Sequence, residues 1–485
     1  MKKYRLYIFL IIILCNFFYQ LSNNFAQVQE ELIQIPALVH ISSTISDGKN
    51  SLEQIIKAAE SSNFKAIVFT DRDFMQWEYG LWPLRKIFKK VFKQNSVKDF
   101  GFEKYIKRIG KLNKKYPGLV LIAGLETNPF YYWSGSIFSK NFSLHDTHKH
   151  MLIFGLEDEN NFNQLPVIAN QKALFKTFKL KDVLNFWPVL VLILALGLTR
   201  IRKKLGIFIF ILSTLFLINN FPFKPCLFDQ YHGDQGLMAL QNTINYVREK
   251  NGLIFWAHPE AKYDQKSEYV EIITNPHSDD LMKTIDYTGF SVFYEGYKII
   301  GCPGGLWDQL LIEAVNGKRK TPAWVIGGLA FDSQGELTES LKDLRNILLV
   351  KSINKNEILN AFRMGSLYVS RGKRSADFIL NEFSICDPMG NSAKTIGQTL
   401  SLPGNDIIIK IKGDLKDNNA NLSTFRLSLI KNARVIKNFQ TQTPFNIEVN
   451  DLINPDESNS YYRLEIVTQG LHVITNPIFV KAGIK

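Results

Sequence analysis

The segment Ala66-Ile67-Val68-Phe69-Thr70-Asp71-Arg72 is the starting point for the fold, because an apolar run leads directly into polar side chains. A short continuous apolar run is typical of a strand that is covered on both faces, as in a parallel sheet with helices on either side. Polar residues that follow such a strand lie at the edge of the sheet where ligand sites of α/β folds form. The segment therefore predicts a buried strand that ends in a site.

Similar apolar runs recur before and after this segment. Between the first two runs, Ser51-Leu52-Glu53-Gln54 has the pattern of a helix capping box, and apolar residues at helical spacing follow it. Alternation of buried strands and helices predicts an α/β fold with a parallel sheet or barrel. The other predicted strands are 37–41, 119–123, 151–154, 253–257, 290–293 and 324–326.

The pattern changes after about Ser375. The segments 407–411, 426–429 and 462–466 are strand-like, several of them alternate between apolar and polar residues, and Pro, Asn, Asp and Gly separate them. Residues 376–485 are therefore predicted to form a β-sandwich domain, in the size range of immunoglobulin-like modules.

The composition limits the class of protein. The chain has 485 residues, 46% of them hydrophobic and 21% charged, which excludes a disordered or fibrous chain. A chain of this length has room for roughly two to four domains. The 4 cysteines include no C-x-x-C pair, so neither a zinc ribbon nor a thioredoxin-type redox pair is available.

The first residues are typical of an export signal. Lys2, Lys3 and Arg5 precede an apolar stretch, and no charged residue occurs from Leu6 to Gln29. A basic head followed by an apolar stretch predicts either a signal peptide or an uncleaved membrane anchor over residues 1–29.

A second apolar region lies inside the chain. Two charge-free runs, Val183 to Thr199 and Leu205 to Phe223, flank the basic segment 200–204. Both runs are near the lower length limit for a membrane-spanning helix. Residues 183–223 are predicted to form a transmembrane helical hairpin, and the alternative is a pair of buried core helices.

Basic loops stay in the cytoplasm, so the basic N-terminus and the segment 200–204 are both expected there. Residues 30–182 and 224–375 are then both extracytoplasmic, and we expect them to form one domain that the hairpin interrupts. The 376–485 domain follows on the same side.

The net charge of +13 is concentrated in the N-terminal head, the hairpin turn and residues 85–115, which hold twelve Lys and Arg against two acids. The segment Tyr105 to Leu112 has apolar residues on one side and is either a solvated helix face or a surface that docks onto anionic lipid. Since the charge has these membrane interpretations and no recognition module is visible, no nucleic-acid partner is expected.

Metal-binding residue types recur after the predicted strands. Because strand ends of parallel folds meet at one edge, we expect these side chains to converge there. Histidine and carboxylate ligands suit Zn, Mn or Fe, and such an ion would polarise a phosphoryl oxygen and activate water. The candidates are His40, Asp47, Asp71, Glu126, His150, His258 and Asp332.

These motifs, taken together, resemble the PHP family, the polymerase and histidinol phosphatase domain. The resemblance covers about residues 36–375 without the hairpin. It implies a distorted seven-stranded (β/α) barrel whose active members hold two or three metal ions and hydrolyse phosphate esters. The matching segments are Val39-His40-Ile41-Ser42, Ser46-Asp47-Gly48, Thr70-Asp71-Arg72, Gly124-Leu125-Glu126, His150 and Ala257-His258-Pro259.

The chain departs from the family pattern at three ligand positions. Ser42 and Arg72 replace histidines, and Ala330-Phe331-Asp332 replaces an Asp-x-His. Arginine cannot ligate a metal, because it has no acceptor atom.

The ligands that remain predict one or two divalent ions. Glu126, His150 and His258 form the expected set, with His145 and His148 as alternatives to His150. His40 would share a second ion through Glu126. Asp47 and Asp332 would hold a further ion only if the side chain of Arg72 turned away.

The sequence therefore predicts a membrane-tethered, metal-dependent phosphoesterase. In it, Arg72 and His40 stabilise the phosphoryl charge, and Arg72 and Asp71 bind the substrate, which is a phosphorylated small molecule or a lipid-linked phosphate. The alternative is a barrel that has lost catalysis and acts at the membrane as an anionic-ligand-binding or scaffold protein. Taken singly, each candidate also has an ordinary structural interpretation, such as a turn for Asp47 or a strand-end cap for His258.

Overall fold

The computed structural model describes residues 32–136, 139, 141–329, 337–390, 392–416, 424–453 and 459–483. The predicted signal or anchor at 1–29 and the candidate ligand Asp332 lie outside the described residues.

The described chain combines helices with a large number of strands. The strands are β1 Ile33–Ile41, β2 Ala66–Arg72, β3 Gln76–Gly80, β4 Lys89–Lys93, β5 Val120–Thr127, β6 Tyr132–Ser134, β7 Ser143–His145, β8 Met151–Phe154, β9 Leu253–Trp256, β10 Tyr263–Lys266, β11 Glu271–Thr274, β12 Gly289–Ser291, β13 Trp324–Ile326, β14 Leu344–Val350, β15 Leu367–Arg371, β16 Phe378–Cys386, β17 Ala393–Thr395, β18 Thr399–Leu402, β19 Asp406–Leu415, β20 Phe425–Lys431, β21 Arg434–Thr441, β22 Phe445–Leu452, β23 Asn459–Thr468, β24 Leu471–Thr475 and β25 Ile478–Ala482.

The α-helices are distributed between the strands of the first two thirds of the chain. They are α1 Leu52–Ser61, α2 Val97–Phe100, α3 Phe102–Lys115, α4 Glu159–Asn163, α5 Trp187–Thr199, α6 Lys203–Asn220, α7 Met238–Glu249, α8 Asp280–Lys283, α9 Leu306–Val315, α10 Leu337–Lys342 and α11 Lys355–Met364. Short turns of other helix types lie at Gln171–Leu174, Leu180–Phe186 and Tyr297–Gly301.

One large sheet runs through the chain in the order β13-β12-β9-β8-β5-β2-β1-β14-β15-β24-β23-β20-β21. The pairs β1–β2, β2–β5, β9–β12 and β12–β13 are parallel, as the apolar runs predict. The prediction of a wholly parallel sheet is wrong at β8, which is antiparallel to both β5 and β9. An apolar run indicates burial on both faces but carries no information about strand direction, so the sequence could not reveal this reversal.

Strands β13 and β1, which end the run β13-β12-β9-β8-β5-β2-β1 of this sheet, come close together. The backbone N–H of Leu329, just after β13, donates to the carbonyl of Val39 in β1 at 3.1 Å. The side chain of Asn346 in β14 is bonded to Gly327, accepting at 2.7 Å and donating at 2.8 Å. The last strand of the series is therefore linked to the first through a few bonds.

The predicted capping box is confirmed at the start of α1. The Ser51 hydroxyl accepts from the N–H of Gln54 at 3.3 Å, and the Gln54 side chain accepts from the N–H of Ser51 at 2.8 Å. Leu52, Ile55 and Ile56 on the apolar side of the helix are buried in the main core. This packing places α1 against the sheet next to the site strands.

The basic segment 85–115 is divided between two structures. Its second half forms α3, in which Tyr105, Ile109 and Leu112 are buried in the main core. The apolar side chains predicted there therefore pack into the main core against the sheet. The lysines lie on the outer face of the helix. The apolar side of α3 is not free to enter a lipid surface, which removes the docking interpretation of residues 105–112.

The C-terminal region is built from strands, as predicted. One layer is a four-stranded sheet in the order β17-β16-β19-β22, and the other continues the large sheet through the antiparallel pair β15–β24. A second apolar core lies between the layers and includes Tyr368 of β15. Because the pattern of alternation shows only which face of a strand is buried, the sequence did not indicate that a sheet of the predicted sandwich joins the large one.

A fully buried ion pair also links the C-terminal strands to the rest. Arg463 of β23 donates to the Asp308 carboxylate of α9 through Nε and Nη2, both at 2.7 Å, and neither side chain is exposed. The Tyr461 hydroxyl donates to the same carboxylate at 2.8 Å. A buried charge needs a paired partner to be tolerated, and here the pair leaves only Nη1 of Arg463 without a hydrogen bond among the described residues.

Helices α5 and α6 pack side by side and are unusually exposed. The helical segments Leu180–Thr199 and Lys203–Asn220 have mean hydropathies of 1.9 and 1.4 and are long and apolar enough to cross a membrane. Only 17% and 11% of their most apolar windows is buried. These residues do not form the buried core helices that were the alternative, because their apolar side chains point outward.

Candidate metal centre

Five neighbouring strands of the large sheet bring the candidate residues together. His40 lies in β1, Arg72 ends β2, Glu126 lies in β5, His150 directly precedes β8 and His258 follows β9. These strands are consecutive in the order β9-β8-β5-β2-β1. The sheet therefore places side chains from distant parts of the sequence along a single edge.

His40, Glu126 and His258 offer a group of ligand atoms that lie within 4.8 Å of one another. Nε2 of His40 is 3.2 Å from one Glu126 carboxylate oxygen, and Nε2 of His258 is 3.6 Å from the other. The His40 and His258 rings are stacked with centroids 5.9 Å apart. His40 and Glu126 are buried, and His258 is partly exposed.

The backbone at both histidines of this group is unusual. The φ angle is 63° at His40 and 27° at His258, in a region that non-glycine residues rarely occupy. Strained backbone of this kind persists where the surrounding structure holds it and is common at functional sites. Gly328 leaves room for the His40 ring, because a Cβ atom at residue 328 would lie only 2.9 Å from Nδ1 of His40.

His150 lies beside this group, in contact with both a donor and acceptors. Its Nε2 is 2.8 Å from the Thr147 carbonyl oxygen, which only accepts hydrogen bonds, and 2.7 Å from Nη1 of Arg72, which only donates them. Its Nδ1 lies 2.8 Å from Glu126 Oε1 and 3.2 Å from His258 Nε2. Each ring nitrogen thus faces an acceptor as well as the guanidinium, so either tautomer satisfies one contact at each nitrogen.

Arg72 supplies a positive charge at this place. Its Nη1 lies 2.9 Å from Nδ1 of His150 and 3.3 Å from Oε1 of Glu126. Its Nε donates to Oδ2 of Asp47 at 2.9 Å. The side chain of Arg72 points into the site, and its guanidinium binds Asp47. Asp47 was predicted to bind a metal ion only if Arg72 turned away, and in this structure Arg72 does not turn away.

The charges in the site are strongly coupled. Burial alone would raise the pKa of Glu126, but Arg72, His40 and His150 together hold it well below its usual range. Burial, followed by the charge of Arg72, holds the pKa of His150 well below its usual range. The site therefore contains an ionised carboxylate and a neutral imidazole, which are the forms that bind metal ions.

Asp71 has a different position from the one its motif suggests. Its carboxylate is fully buried and accepts from the backbone N–H of Ser43 at 2.7 Å and from the hydroxyls of Ser43 and Ser46 at 2.9 and 2.8 Å. Since these donors occupy its oxygens, Asp71 holds the loop after β1 and does not face a substrate. The expectation that Asp71 binds the substrate is not supported by this geometry.

The other histidines of the 145–150 segment lie at different distances from the centre. His145 contacts the hydroxyl of Ser134 through Nε2 at 2.7 Å and stacks on Tyr132. His148 stacks on Tyr263 with ring centroids 3.6 Å apart. Burial and the charge of Arg72 lower the pKa of His148 to about 4, so it borders the centre as a neutral ring.

Asp73 is a further acidic residue beside the centre that the sequence motifs did not identify. It is buried, accepts from the N–H of Phe74 at 2.6 Å and is bonded to the hydroxyl of Thr127. Burial raises its pKa to about 7. The only signal in the sequence was its position next to Arg72.

A small cavity of about 20 Å³ opens on the centre. Arg72, Glu126 and His150 line it together with Phe74, Gln76 and Tyr131. Space for about one water molecule therefore lies against the polar atoms of the centre.

The chain belongs to the PHP domain family, since the model of that family matches residues 39–325, more than half of the chain. The matched range contains His40, Arg72, Glu126, His150 and His258 and also the two apolar helices. No curated protein matches the chain.

Two solved structures are similar to the chain. One is a two-domain protein from Bacteroides vulgatus, described as containing a PHP-like metal-dependent phosphoesterase assigned by prediction, with 10% identity, a TM-score of 0.32 and 90% of each chain covered. The other is a protein from Bifidobacterium adolescentis, provisionally described as a metal-dependent phosphoesterase, with 14% identity, a TM-score of 0.29, and 62% of this chain and 88% of the other covered.

The family implies a metal cofactor, and the residues present fit one. Oε1 of Glu126 has Nη1 of Arg72 3.3 Å away, whereas Oε2 lies 3.2 Å from Nε2 of His40. A buried carboxylate is tolerated only where cations or donors lie close to its oxygens. His40, Glu126 and His258 supply the nitrogen and oxygen donors that Zn, Mn or Fe prefer.

Proposed function

We propose that this protein hydrolyses phosphate esters with the help of a bound divalent metal ion. The observation that carries the proposal is the convergence of His40, Glu126 and His258 in a chain of the PHP family. When bound, such an ion polarises a phosphoryl oxygen and lowers the pKa of water toward neutrality. His40, Glu126 and His258 would hold it.

A single ion fits the described residues best. Nδ1 of His150 and Oε1 of Glu126 lie 2.9 and 3.3 Å from Nη1 of Arg72, which already brings one positive charge to them. An additional cation there would meet the guanidinium at close range. We therefore expect one Zn, Mn or Fe ion per chain, with Arg72 in place of another.

Arg72 has a second part in this proposal. Its side chain is 18% exposed and borders the small cavity, so the guanidinium faces open space beside the centre. The planar guanidinium matches two oxygens of a phosphate group and remains charged at any physiological pH. Arg72 would orient the phosphate and stabilise its charge, while Asp47 fixes the other edge of the guanidinium.

The experiment that tests this function uses the purified full chain in detergent. We expect metal analysis to find bound Zn, Mn or Fe, and para-nitrophenyl phosphate to be hydrolysed when that metal is present. Glu126→Gln should lose the metal and at least about 100-fold in rate, since a metal centre contributes several kcal/mol. Glu157→Gln, an exposed carboxylate that serves as the control, should change neither. Absence of both metal and activity in the native chain would refute the proposal.

The second candidate is a protein that binds an anionic ligand without hydrolysing it. The contacts of Arg72 with Asp47, Glu126 and His150 favour it, because they fill part of the centre with a group that binds phosphate but cannot activate water. In that case inorganic phosphate binds to the native chain without any turnover, and Arg72→Ala abolishes the binding.

We also propose that the first part of the large sheet is the barrel of the family. The bond from Leu329 to Val39 and the bonds of Asn346 to Gly327 support closure between β13 and β1. Closure would explain why the candidate ligands surround one point rather than lie along a row.

The membrane hairpin is part of the proposal. The length, apolar composition and exposure of the helical segments Leu180–Thr199 and Lys203–Asn220 support it, and the basic segment 200–204 supports a cytoplasmic turn. The metal centre would then lie on the extracytoplasmic side. Lys203→Cys should react with a membrane-impermeant maleimide only after the membrane is opened. Labelling of intact cells at this position would overturn the orientation.

A further inference from the structure

Three cavities that share lining residues lie between the metal centre and the end of the apolar hairpin. The small cavity at the centre shares Phe74, Gln76 and Tyr131 with a second cavity of about 370 Å³. That cavity shares Glu78 and Gln171 with a third of about 600 Å³, which is lined by Asn219 and Asn220 at the end of α6. We call this series the groove.

Cations line the groove along its length. Lys93, Lys98 and Lys172 border the second cavity and are exposed. Lys86 and Lys224 border the third. Five acidic residues also line it. Asp73 and Glu126 border the small cavity beside Arg72. Glu78 is paired with Lys89 at 2.6 Å, and Asp99 and Asp229 are the others. Lysines and arginines therefore predominate, and the groove suits an anionic ligand.

The groove ends at the hairpin through direct contacts. The N–H of Lys86, in the loop between β3 and β4, donates to the side chain of Asn219 at 3.0 Å. Its ammonium donates to the carbonyl of Phe221 at 2.9 Å. The wall of the groove formed by β3 and β4 is therefore fixed to the last turn of α6.

The loop between β3 and β4 exposes apolar side chains beside this contact. Trp82 is 80% exposed, and Leu81 and Phe88 are also largely exposed. Tryptophan together with lysine is typical of the interface between a bilayer and water. The mouth of the groove thus has the composition of a surface that lies at lipid headgroups.

We propose that the groove admits the phosphorylated headgroup of a lipid from the bilayer and leads it to the metal centre. This inference rests on the proposed function and on the membrane hairpin, and it specifies the substrate as a lipid phosphate. The phosphate passes the lysines of the groove and reaches Arg72, while the acyl chains stay beside α5 and α6. A soluble phosphate ester lacks the anchor that this path uses.

The test compares a lipid substrate with soluble ones in the full chain in mixed micelles. Lys93→Glu, Lys98→Glu and Lys172→Glu, combined, should lower kcat/KM for phosphatidic acid about tenfold, the lower end of the range for charge focusing. The same variant should also lower kcat/KM for para-nitrophenyl phosphate, because this anion would pass the same lysines, so the discrimination between lipid and soluble substrate rests on a preference of the native chain for phosphatidic acid over glycerol 3-phosphate.

The control makes the same change of charge on another face. Lys111→Glu, Lys114→Glu and Lys115→Glu lie on the exposed side of α3 and do not line the groove. This variant should match the native chain on both substrates. Equal losses in the two variants, or hydrolysis of glycerol 3-phosphate as efficient as that of phosphatidic acid, would overturn the inference.

A binding measurement separates this inference from the proposed function. Native mass spectrometry of the full chain with phosphatidic acid should show a bound lipid that the groove variant loses and the α3 variant keeps. If the native chain has no activity but shows this pattern, the proposed hydrolysis fails and the lipid site stands. If the native chain hydrolyses soluble esters but binds no phosphatidic acid, the groove proposal fails and the hydrolysis stands.

Discussion

Nη1 of Arg72 lies 2.7 Å from Nε2 and 2.9 Å from Nδ1 of His150, so a guanidinium lies against this imidazole beside the metal centre. A covalently attached cation cannot be removed by chelation or replaced by another ion. The centre therefore combines the permanent positive charge of Arg72 with donor atoms for an exchangeable metal ion.

Replacing Arg72 should change the number of bound ions. Arg72→His removes the guanidinium and restores a nitrogen donor at the position where the family pattern has a histidine, so the chain should bind two divalent ions instead of one. Metal analysis after dialysis against excess Zn or Mn measures this number. Arg72→Lys keeps a cation and should remain at one ion. Two ions in the native chain would show that Arg72 does not take the place of one.

The loop after β1 should depend on Asp71 for stability. Asp71→Ala leaves the N–H of Ser43 without its acceptor and removes the bond from Ser46, which should cost about 2–4 kcal/mol of unfolding free energy. Urea unfolding in detergent measures the loss. Ser46→Ala removes a single bond and should cost about 1 kcal/mol. If the Asp71 variant is as stable as the native chain, the loop does not need this carboxylate.

The buried pair between Arg463 and Asp308 should join the C-terminal strands to the rest of the fold. Arg463→Ala leaves a buried carboxylate without its partner, so it should reduce the unfolding free energy by about 3–5 kcal/mol. The control is Lys412→Ala, whose partner Glu382 is partly exposed and whose pair should contribute about 1 kcal/mol or less. If the two variants lost the same unfolding free energy, burial of the Arg463–Asp308 pair would not explain its contribution to stability.

His277 should make the protein sensitive to acid. Burial lowers its pKa to about 3, and its Nε2 has no hydrogen-bond partner among the described residues. Between the ordinary pKa of histidine and pH 3, the unfolded chain binds a proton that the folded chain does not. The stability therefore falls as the pH drops through this window, and this penalty is absent above it.

His277→Asn removes this titrating group. The slope of unfolding free energy against pH should become smaller between about pH 6 and pH 3, by up to about 1.4 kcal/mol per pH unit. Urea unfolding at several pH values measures the slope. His232→Asn, an exposed histidine, should leave the slope unchanged. The same slope in the native chain and in the His277 variant would rule out this origin of acid sensitivity.

Much of the fold was predictable from local patterns. The runs 151–154 and 324–326 coincide with β8 and β13, and the capping box at Ser51 starts α1 as predicted. These features depend on residues that are neighbours in the sequence. The direction of β8 and the pairing of β15 with β24 depend on distant strands, so no local pattern revealed them.

The site was predictable in its strand-end positions but not in its contacts. The order of the motifs identified His40, Glu126, His150 and His258, which the sheet brings to one place. The rotamer of Arg72 and the hydrogen bonds of Asp71 depend on loop and side-chain packing, which a sequence pattern does not encode. The ligand role of Asp332 remains a prediction.

The position of the hairpin has a consequence for how the protein is made. Glu126 and His150 are synthesised before α5 and α6, and His258 is synthesised after them, although the N–H of Ala257 bonds to the carbonyl of His150 at 3.1 Å in the finished sheet. A nascent chain that stops anywhere before residue 258 has an incomplete donor set. The metal centre can therefore form only after the chain has been made to residue 258, a little past its midpoint, and its formation requires that the segments on both sides of the hairpin have met.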